Sequence, residues 1–424
     1  MHDHRVVREQ LDVLREAMSR RGMLESLAPA LARAEQLDRD RRAGIQAVEE
    51  RKARRNALSQ EVARRKRAGE PADALIDEGR AVGEEIARLE RDADESQRGL
   101  DALLLEIPNQ TLADVPAGGE EANVVLRNWG EQRSSDGVRP HWEVASEKGM
   151  LDLERGAKVS GSGFVFYRGQ GARLVRALLN FFLDLHTREH GYEEVWSPAL
   201  VTRSSLTGTG NLPKFEDDLY AVQGDDLFLI PTAEVPVTNL YRDEILDGAT
   251  LPRAFTAYTP CFRREAGSAG KDTRGILRTH QFDKVELVRY ATPETSVREL
   301  ELLLSHAEEA LRRLEIPYCV KLLAAGDTGF SSAKTYDLEA WAPGVGAWLE
   351  VSSVSLFTDF QARRANVRYR PAKGEKPRYV HTLNGSGLAF PRTIAALLEL
   401  GQQADGSVRL PEALRPYFGA DAIR

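Results

Sequence analysis

Residues 260–290 read PCFRREAGSAGKDTRGILRTHQFDKVELVRY, and this stretch decides the fold. Its two ends predict β-strands that face each other across a long polar loop, because 266–279 contains glycines and charges but no apolar period. The loop is expected to be mobile. In the first strand Arg263 and Glu265 are two residues apart, which predicts that both side chains point to the same face.

The second strand of this hairpin carries a similar face. Three of its residues alternate with apolar neighbours and share one side: Phe282, Lys284 and Glu286. A sheet face with an arginine, carboxylates and an aromatic ring is a poor core surface, but it suits an adenine base, a phosphate and a cationic amine. On the residues alone, a solvated hairpin face is an equally good interpretation.

Composition and charge exclude several other classes of protein. The chain has 424 residues and 42% hydrophobic content, enough for two or three domains with a sizeable core. Its two cysteines form no CxxC pair and its eight histidines no HExxH pattern, so neither a disulfide scaffold nor a zinc site is expected. The dinucleotide and P-loop patterns GxGxxG and GxxxxGK[ST] are absent.

The first residues, MHDHRVVREQLDVLREAM, are charged from the outset and contain no apolar signal segment. No apolar run approaches the length of a membrane span. We therefore expect a soluble cytoplasmic protein that does not bind membranes. The net charge of −7 gives no global sign of nucleic-acid binding, so such a surface must be a local basic patch.

Residues 1–110 have the composition of long helices. From Leu75 to Ile107 apolar residues recur with coiled-coil spacing, and a rougher seam precedes them. The glycine and proline in 68–73 predict a reversal between two helices. The pattern predicts an antiparallel coiled-coil arm over about 30–105, with helices of about 30 residues that extend about 45–50 Å.

Most charges of this arm suit the ordinary exposed positions of a coiled coil. A cluster near the reversal, together with two arginines about three turns back, is dense enough to suit a phosphate backbone. The candidate RNA contacts are Arg54, Arg55, Arg64, Arg65, Lys66 and Arg67.

The string FRREAGSAGKDTRGILRTHQFDKVE resembles motif 2 of a class II aminoacyl-tRNA synthetase, in the form found in bacterial-type seryl-tRNA synthetases. The helix–glycine–strand pattern in 174–200 is similar to motif 1, a dimer-forming element, and 381–400 resembles motif 3. The resemblance implies an α+β fold. A tRNA-binding helical domain of residues 1–110, which includes the arm, would precede a catalytic domain, 111–424, built on a mainly antiparallel sheet flanked by helices. Motif 2 would span 256–290.

The same resemblance implies an ATP site with Mg²⁺ and no zinc. Its residues would be Arg263, Arg264, Glu265, Phe282, Glu350, Val351, Ser352, Ser353 and Arg392. Arg263, Glu350 and Arg392 would act in catalysis, and Glu350 and Ser353 would hold the metal. Residues three apart on a regular strand face opposite sides, so a bulge or the end of the strand is expected between Glu350 and Ser353 if both act together. Residues 381–389 are expected to form a glycine-rich turn that leads into a helix.

The implied serine site consists of Thr232, Ala233, Glu234, Arg263, Glu286 and Ser386. The Thr-Ala-Glu string also fits a plain helix cap. The glycine-rich residues 206–222 are expected to form a loop over the pocket. Implied partners are L-serine, ATP, tRNA(Ser) through its long variable arm, tRNA(Sec) where present, and a second copy of the chain. Lys271 would contact the tRNA acceptor end.

Two alternatives stay open at this point. One is a class II-like ligase that charges a carrier protein or confers resistance to an inhibitor. The other is a non-catalytic coiled-coil interaction protein with a decayed ligase domain, which the joint presence of Arg263, Glu286 and Arg392 disfavours.

Overall fold

A computed structural model describes residues 1–266 and 274–424. Residues 267–273, which are half of the predicted mobile loop and include the predicted RNA contact Lys271, lie outside the described part. The chain divides into two compact units, Met1–Pro108 and Asn109–Arg424. In the described ranges, no helix is both long and apolar enough to cross a membrane.

The N-terminal unit consists of four helices: His4–Glu9, Leu11–Arg20, Leu24–Ala68 and Asp73–Glu106. The third spans 45 residues, about 67 Å, and is longer than predicted. Its first turns continue through the base of the hairpin because Leu31 and Leu37 pack against Leu14 and Met18 of the second helix. It ends at Gly69, whose positive φ of 72° makes it a left-handed cap.

The two long helices are antiparallel, as predicted. Leu37 lies against Gly99, and Gly44 lies against Ala93. As the residue number rises along the first long helix, the number of its partner on the second long helix falls. Farther along the hairpin, the predicted seam residues Val82 and Ile86 are buried with two residues of the longer helix, Val48 and Leu58.

The C-terminal unit is built on a mixed sheet that is mostly antiparallel, which confirms the predicted fold class. Within 109–266 and 274–424 this sheet has eight strands, in the spatial order Val124–Trp129, Tyr318–Leu322, Lys334–Ala342, Ala347–Thr358, His381–Ala389, Gln281–Ala291, Arg253–Phe262 and Glu193–Glu194. Only the pair formed by Glu193–Glu194 and Arg253–Phe262 is parallel among these neighbours.

One face of the sheet is covered by helices. Val285 and Leu287 point into this core, where they meet apolar residues of Gln170–Asp184 and Ser296–Arg313. Further helices are His141–Glu147, Leu153–Ser160, Arg203–Thr209, Glu234–Thr238, Phe360–Ala365, Phe390–Leu400 and Arg415–Phe418. The opposite side of Gln281–Ala291 is thereby left for a cavity, because adjacent strand residues alternate between faces.

Three local predictions differ from the structure. The first hairpin strand ends at Phe262, so Arg263 and Glu265 lie beyond it, and Glu265 has a positive φ of 53°. Residues 206–209 belong to the helix Arg203–Thr209 rather than to a loop.

The predicted glycine-rich turn at 381–389 is instead the strand His381–Ala389. Its glycines serve close packing, because a Cβ on Gly385 would lie 2.4 Å from Leu303 and one on Gly387 2.7 Å from His186. The helix that follows, Phe390–Leu400, has proline in its first turn, as expected.

Candidate active site

A cavity of about 590 Å³ lies over the end of the central hairpin. Twelve of the predicted site residues line it: Thr232, Glu234, Arg263, Glu265, Phe282, Glu286, Glu350, Val351, Ser352, Ser353, Ser386 and Arg392. Residues from distant parts of the sequence therefore meet in one space, which is the geometry that a two-substrate site requires.

Arg263 is held where the first hairpin strand ends. Its backbone N–H donates to His280 O at 2.9 Å, and its Nε donates to Pro231 O at 3.3 Å. The guanidinium carbon lies 5.1 Å from the centre of the Phe282 ring. The cation thus lies over the aromatic ring, and both residues line the cavity.

Arg392 and Glu265 lie on the same wall of the cavity. Arg392 Nε donates to Leu277 O at 3.2 Å, and its Nη1 donates to Glu350 O at 2.8 Å. Glu265 forms an ion pair with Arg278. The partners in these contacts, Leu277 and Arg278, come just after the 267–273 segment. This part of the chain therefore links Glu265 of motif 2 to Arg392 of motif 3.

Glu350 and Ser353 share the cavity because the strand is irregular between them. In the register with the neighbouring strand, Leu338 faces Ser352 while Glu339 faces Glu350, so Val351 is the extra residue of a β-bulge. This confirms the predicted bulge. The Glu350 carboxylate lies 3.6 Å from Arg392 Nη1.

A second group of polar residues lies deeper in the cavity. Thr232 Oγ1 donates to Glu286 Oε2 at 3.1 Å, and Glu286 also pairs with Lys284. Ser386 is directly opposite Glu286 in the sheet. Only 2% of Glu286 and 6% of Thr232 is exposed, so their polar atoms are shielded from bulk water and must find partners within the site.

Thr232 lies just before the helix Glu234–Thr238, whose N-cap residue is Ala233, and its Oγ1 accepts the backbone N–H of Glu234 at 3.2 Å. Thr232 therefore both satisfies a backbone donor of the first helical turn and lines the cavity. Burial, and then the nearby charge of Glu286, raise the pKa of Glu234 to about 7. Gln361 Nε2 donates to Glu234 Oε1 at 2.7 Å, which favours the ionised carboxylate.

Two predicted site residues do not line the cavity. Ala233 is fully buried in a separate apolar cluster with Val237 and Phe255. Arg264 is exposed, and its backbone N–H donates to Asp218 O at 2.9 Å.

Sequence reasoning assigned no role to several residues that the structure places here. Lys284, Arg278, Asn211 and Asn384 line the cavity, and Gln361 lies behind Glu234. The period-two pattern had placed Lys284 on the correct face. The others carry no local signal, because their neighbours come from distant segments.

In the N-terminal unit, the predicted RNA contacts differ in their surroundings. Arg54 reaches across the hairpin to Glu78 at 2.6 Å, and both Arg64 and Arg65 pair with Glu61. Three others are exposed: Arg55, Lys66 and Arg67.

The cavity combines two kinds of recognition. Arg263, Arg392 and the Phe282 ring offer a guanidinium pair and an aromatic surface for a nucleotide. The half-buried carboxylate of Glu234 and the buried carboxylate of Glu286 are hydrogen-bond acceptors that suit an ammonium group and a hydroxyl. Such an arrangement can bring two anionic reactants together while it compensates their charge.

Comparisons with known proteins agree with this geometry. A family model described as the seryl-tRNA synthetase N-terminal domain matches residues 1–111, and one described as the tRNA synthetase class II core domain (G, H, P, S and T) matches 214–400. A relative from Gemmatimonas aurantiaca, named serine–tRNA ligase, is 67% identical over 99% of both chains. One of the same name from Geobacillus kaustophilus is 55% identical over 100% of both.

Solved structures give the same result. The crystal structure of seryl-tRNA synthetase from Pyrococcus horikoshii complexed with ATP has a TM-score of 0.96 and 39% identity, and it covers 100% of this chain and 99% of that one. The cytoplasmic serine–tRNA ligase from Naegleria fowleri in complex with AMP has a TM-score of 0.91 and 27% identity over 100% and 99%. The chain belongs to the seryl-tRNA synthetase family of class II aminoacyl-tRNA synthetases.

Proposed function

We propose that this chain activates L-serine with ATP to seryl-adenylate and transfers the seryl group to the 3′ end of tRNA(Ser). Charging of tRNA(Sec), where that tRNA is present, is part of the same proposal. The observation that carries it is that Thr232, Glu286, Arg263, Glu350 and Arg392 all line the same cavity. Relatives with the serine–tRNA ligase name span the whole chain, which disfavours a carrier-protein ligase or a decayed domain.

In the first step a serine carboxylate oxygen attacks the α-phosphorus of ATP, a new P–O bond forms, and pyrophosphate leaves. Both reactants are anions, so the protein contributes mainly position and charge compensation. Arg263 would bridge the serine carboxylate and the α-phosphate, since its planar guanidinium can bind two oxygens at once. Phe282 would stack on adenine, and Arg392 would bind the terminal phosphates.

Magnesium fits the cavity by the chemistry of its donors. The Glu350 carboxylate and the Ser353 hydroxyl are oxygen ligands of the kind that Mg²⁺ prefers, and the bulge at Val351 places both at the cavity. When bound with ATP, the ion would offset phosphate charge.

Serine recognition would rest on the carboxylates of Glu234 and Glu286. Glu234 would accept the ammonium group, and Glu286, with Thr232 beside it, would accept the side-chain hydroxyl. Alanine would leave Glu286 without that donor, so rejection of about 10⁴-fold is expected. In the second step the terminal ribose hydroxyl of tRNA attacks the seryl carbonyl, and AMP leaves.

A cytoplasmic homodimer is also proposed. The segment 174–200 resembles a dimer-forming motif, and Trp196 within it is 77% exposed in the single chain. An exposed tryptophan of this size is typical of a protein interface. Sedimentation of the wild type and Trp196→Glu tests it, since a monomeric wild type contradicts the proposal.

Amino-acid-dependent ATP–pyrophosphate exchange with each of the twenty amino acids tests the function, followed by charging of total tRNA with and without residues 1–105. We expect exchange with serine only and charging that depends on the arm. Exchange without charging would favour the carrier ligase, and no exchange would favour the decayed domain.

A further inference from the structure

A buried histidine–glutamate pair lies beside the cavity, and neither residue is among the predicted site residues. His141 begins the helix His141–Glu147, and Glu399 is near the end of the helix Phe390–Leu400; both are 0% exposed. Glu399 Oε1 accepts from the backbone N–H and from Nδ1 of His141, each at 2.9 Å. Its Oε2 accepts the backbone N–H groups of Gly344 at 2.8 Å and Val345 at 3.1 Å.

These contacts fix the protonation of the ring. A carboxylate that accepts N–H groups at both oxygens has no proton to donate, so the imidazole proton is on Nδ1. Nε2 is then an acceptor, and the backbone N–H of Ile276 donates to it at 3.4 Å. Sequence distance hides this contact, since 135 residues separate the two partners.

The chain that returns from 267–273 lies directly on this ring. Gly275 has a φ of 66°, and a Cβ there would be 2.4 Å from His141 Nε2. Only a residue without a side chain allows the backbone so close, and the positive φ also favours glycine. His141 therefore sets both the position and the hydrogen bonding of Gly275 and Ile276.

The next two residues of the chain reach the nucleotide side of the cavity. Leu277 O accepts the Nε proton of Arg392, and Arg278 pairs with Glu265. A shift of the backbone at Ile276 would thus move Leu277 O and Arg278, which are the partners of Arg392 and Glu265.

We propose that His141 is a positioning residue for ATP, which acts by holding Ile276 so that Leu277 and Arg278 orient Arg392 and Glu265. Glu399 fixes the tautomer that this role requires. The inference rests on the proposed function, because its readout is the activation of serine with ATP.

Two matched substitutions separate this role from a structural one. His141→Asn places an amide nitrogen near the Nδ1 position, so it keeps a donor for Glu399 but loses the acceptor for Ile276. His141→Gln places its amide oxygen near the Nε2 position, so it keeps the acceptor and loses the donor. Both are measured in the full chain by serine-dependent pyrophosphate exchange, with the melting temperature recorded for each.

We expect His141→Asn to lower kcat/KM for ATP by about 10–100-fold while KM for serine stays within about twofold. His141→Gln should lose less of kcat/KM for ATP than His141→Asn does, even if its melting temperature is lower. The reverse order, or an equal loss for serine and ATP, would overturn the proposal.

Gly275→Ala provides a second route if the histidine variants do not fold, because its Cβ would press on the ring and leave Glu399 in place. The same ATP-specific loss is expected, and a folded variant with normal ATP kinetics overturns the proposal. The proposed function fails separately, if the wild type shows no serine-dependent exchange at all.

Discussion

Thr232 donates its hydroxyl proton to Glu286 at 3.1 Å, although 54 residues separate them in the sequence. Glu286 lies opposite Ser386 in the sheet, and both residues line the cavity. The threonine hydroxyl holds the Oε2 atom of this carboxylate. The pair joins the Thr-Ala-Glu segment to the cavity-lining part of the strand Gln281–Ala291.

Replacement of Glu286 by alanine is expected to abolish serine-dependent pyrophosphate exchange, and Thr232→Val should raise KM for serine by about tenfold, the value of one hydrogen bond to a charged group. KM for ATP should change little. Thr256→Val is the matched control, since this buried threonine has no hydrogen-bond partner for its hydroxyl in the described chain. Near-normal exchange by Glu286→Ala would remove the assignment.

The pH dependence of serine use should report on Glu234. Its pKa is raised to about 7, so the carboxylate that would bind the serine ammonium ionises as pH rises through that value. We expect kcat/KM for serine to rise with pH across about 7, and Gln361→Leu to shift the midpoint to higher pH because a donor to the ionised form is lost. A profile that is the same in both proteins contradicts this role.

Arg392→Lys should lower kcat/KM for ATP by about 100-fold. Lysine has no planar fork, so one nitrogen cannot serve Leu277 O, Glu350 O and a phosphate together. Arg409→Lys, an exposed arginine paired with Glu315, is the control and should behave as wild type. Equal kinetics in both variants would exclude a phosphate role for Arg392.

The exposed cations Lys66 and Arg67 should contribute to charging but not to activation. If each neutralises a phosphate, the double alanine variant should weaken tRNA binding and reduce the slope of log affinity against log salt by about 0.7–0.9 per contact. Serine-dependent exchange should stay unchanged. An unaltered salt slope would place the RNA contacts elsewhere.

A histidine cluster should make the protein sensitive to acid. His186 Nδ1 lies 3.0 Å from His190 Nδ1, and the His190 ring stacks on His306 at 4.0 Å. Burial lowers the pKa of His186 and of His306 to about 3, and burial also lowers the pKa of His190 below its usual value. Above pH 6.5 all three are neutral folded or unfolded, so their contribution to stability is present there.

As pH falls from 6.5 toward 3, the unfolded chain takes up protons that the folded cluster does not, and this contribution is lost. His306→Phe should make the fall in melting temperature shallower over that window. Groups near the cluster include Glu189, Glu309, Arg313 and Arg289, so the comparison is made at constant salt. An identical pH profile for wild type and variant contradicts the prediction.

Sequence patterns predicted those parts of the site that follow a regular period. Phe282, Lys284 and Glu286 share the cavity because they alternate along one strand, and the three-residue step from Glu350 to Ser353 required the bulge that is found. Arg263 and Glu265 both line the cavity, but they do not share a strand face as predicted, because the strand ends at Phe262.

The remaining contacts depend on close packing, which has no period. Gly385 and Gly387 looked like turn residues but lie within a strand, where Leu303 and His186 leave no space for a side chain. Glu399 meets His141 across 258 residues, and both belong to helices whose sequence patterns show only an apolar face. Such pairs become visible only when the chain is folded.

The bulge at Val351 makes the pairing of this strand as important as the identity of its residues. If the same residues paired with the strand Lys334–Ala342 without a bulge, regular alternation would turn Glu350 and Ser353 to opposite faces, although every functional side chain would still be encoded. Selection on this enzyme should therefore act on the register of these two strands as well as on the carboxylate itself.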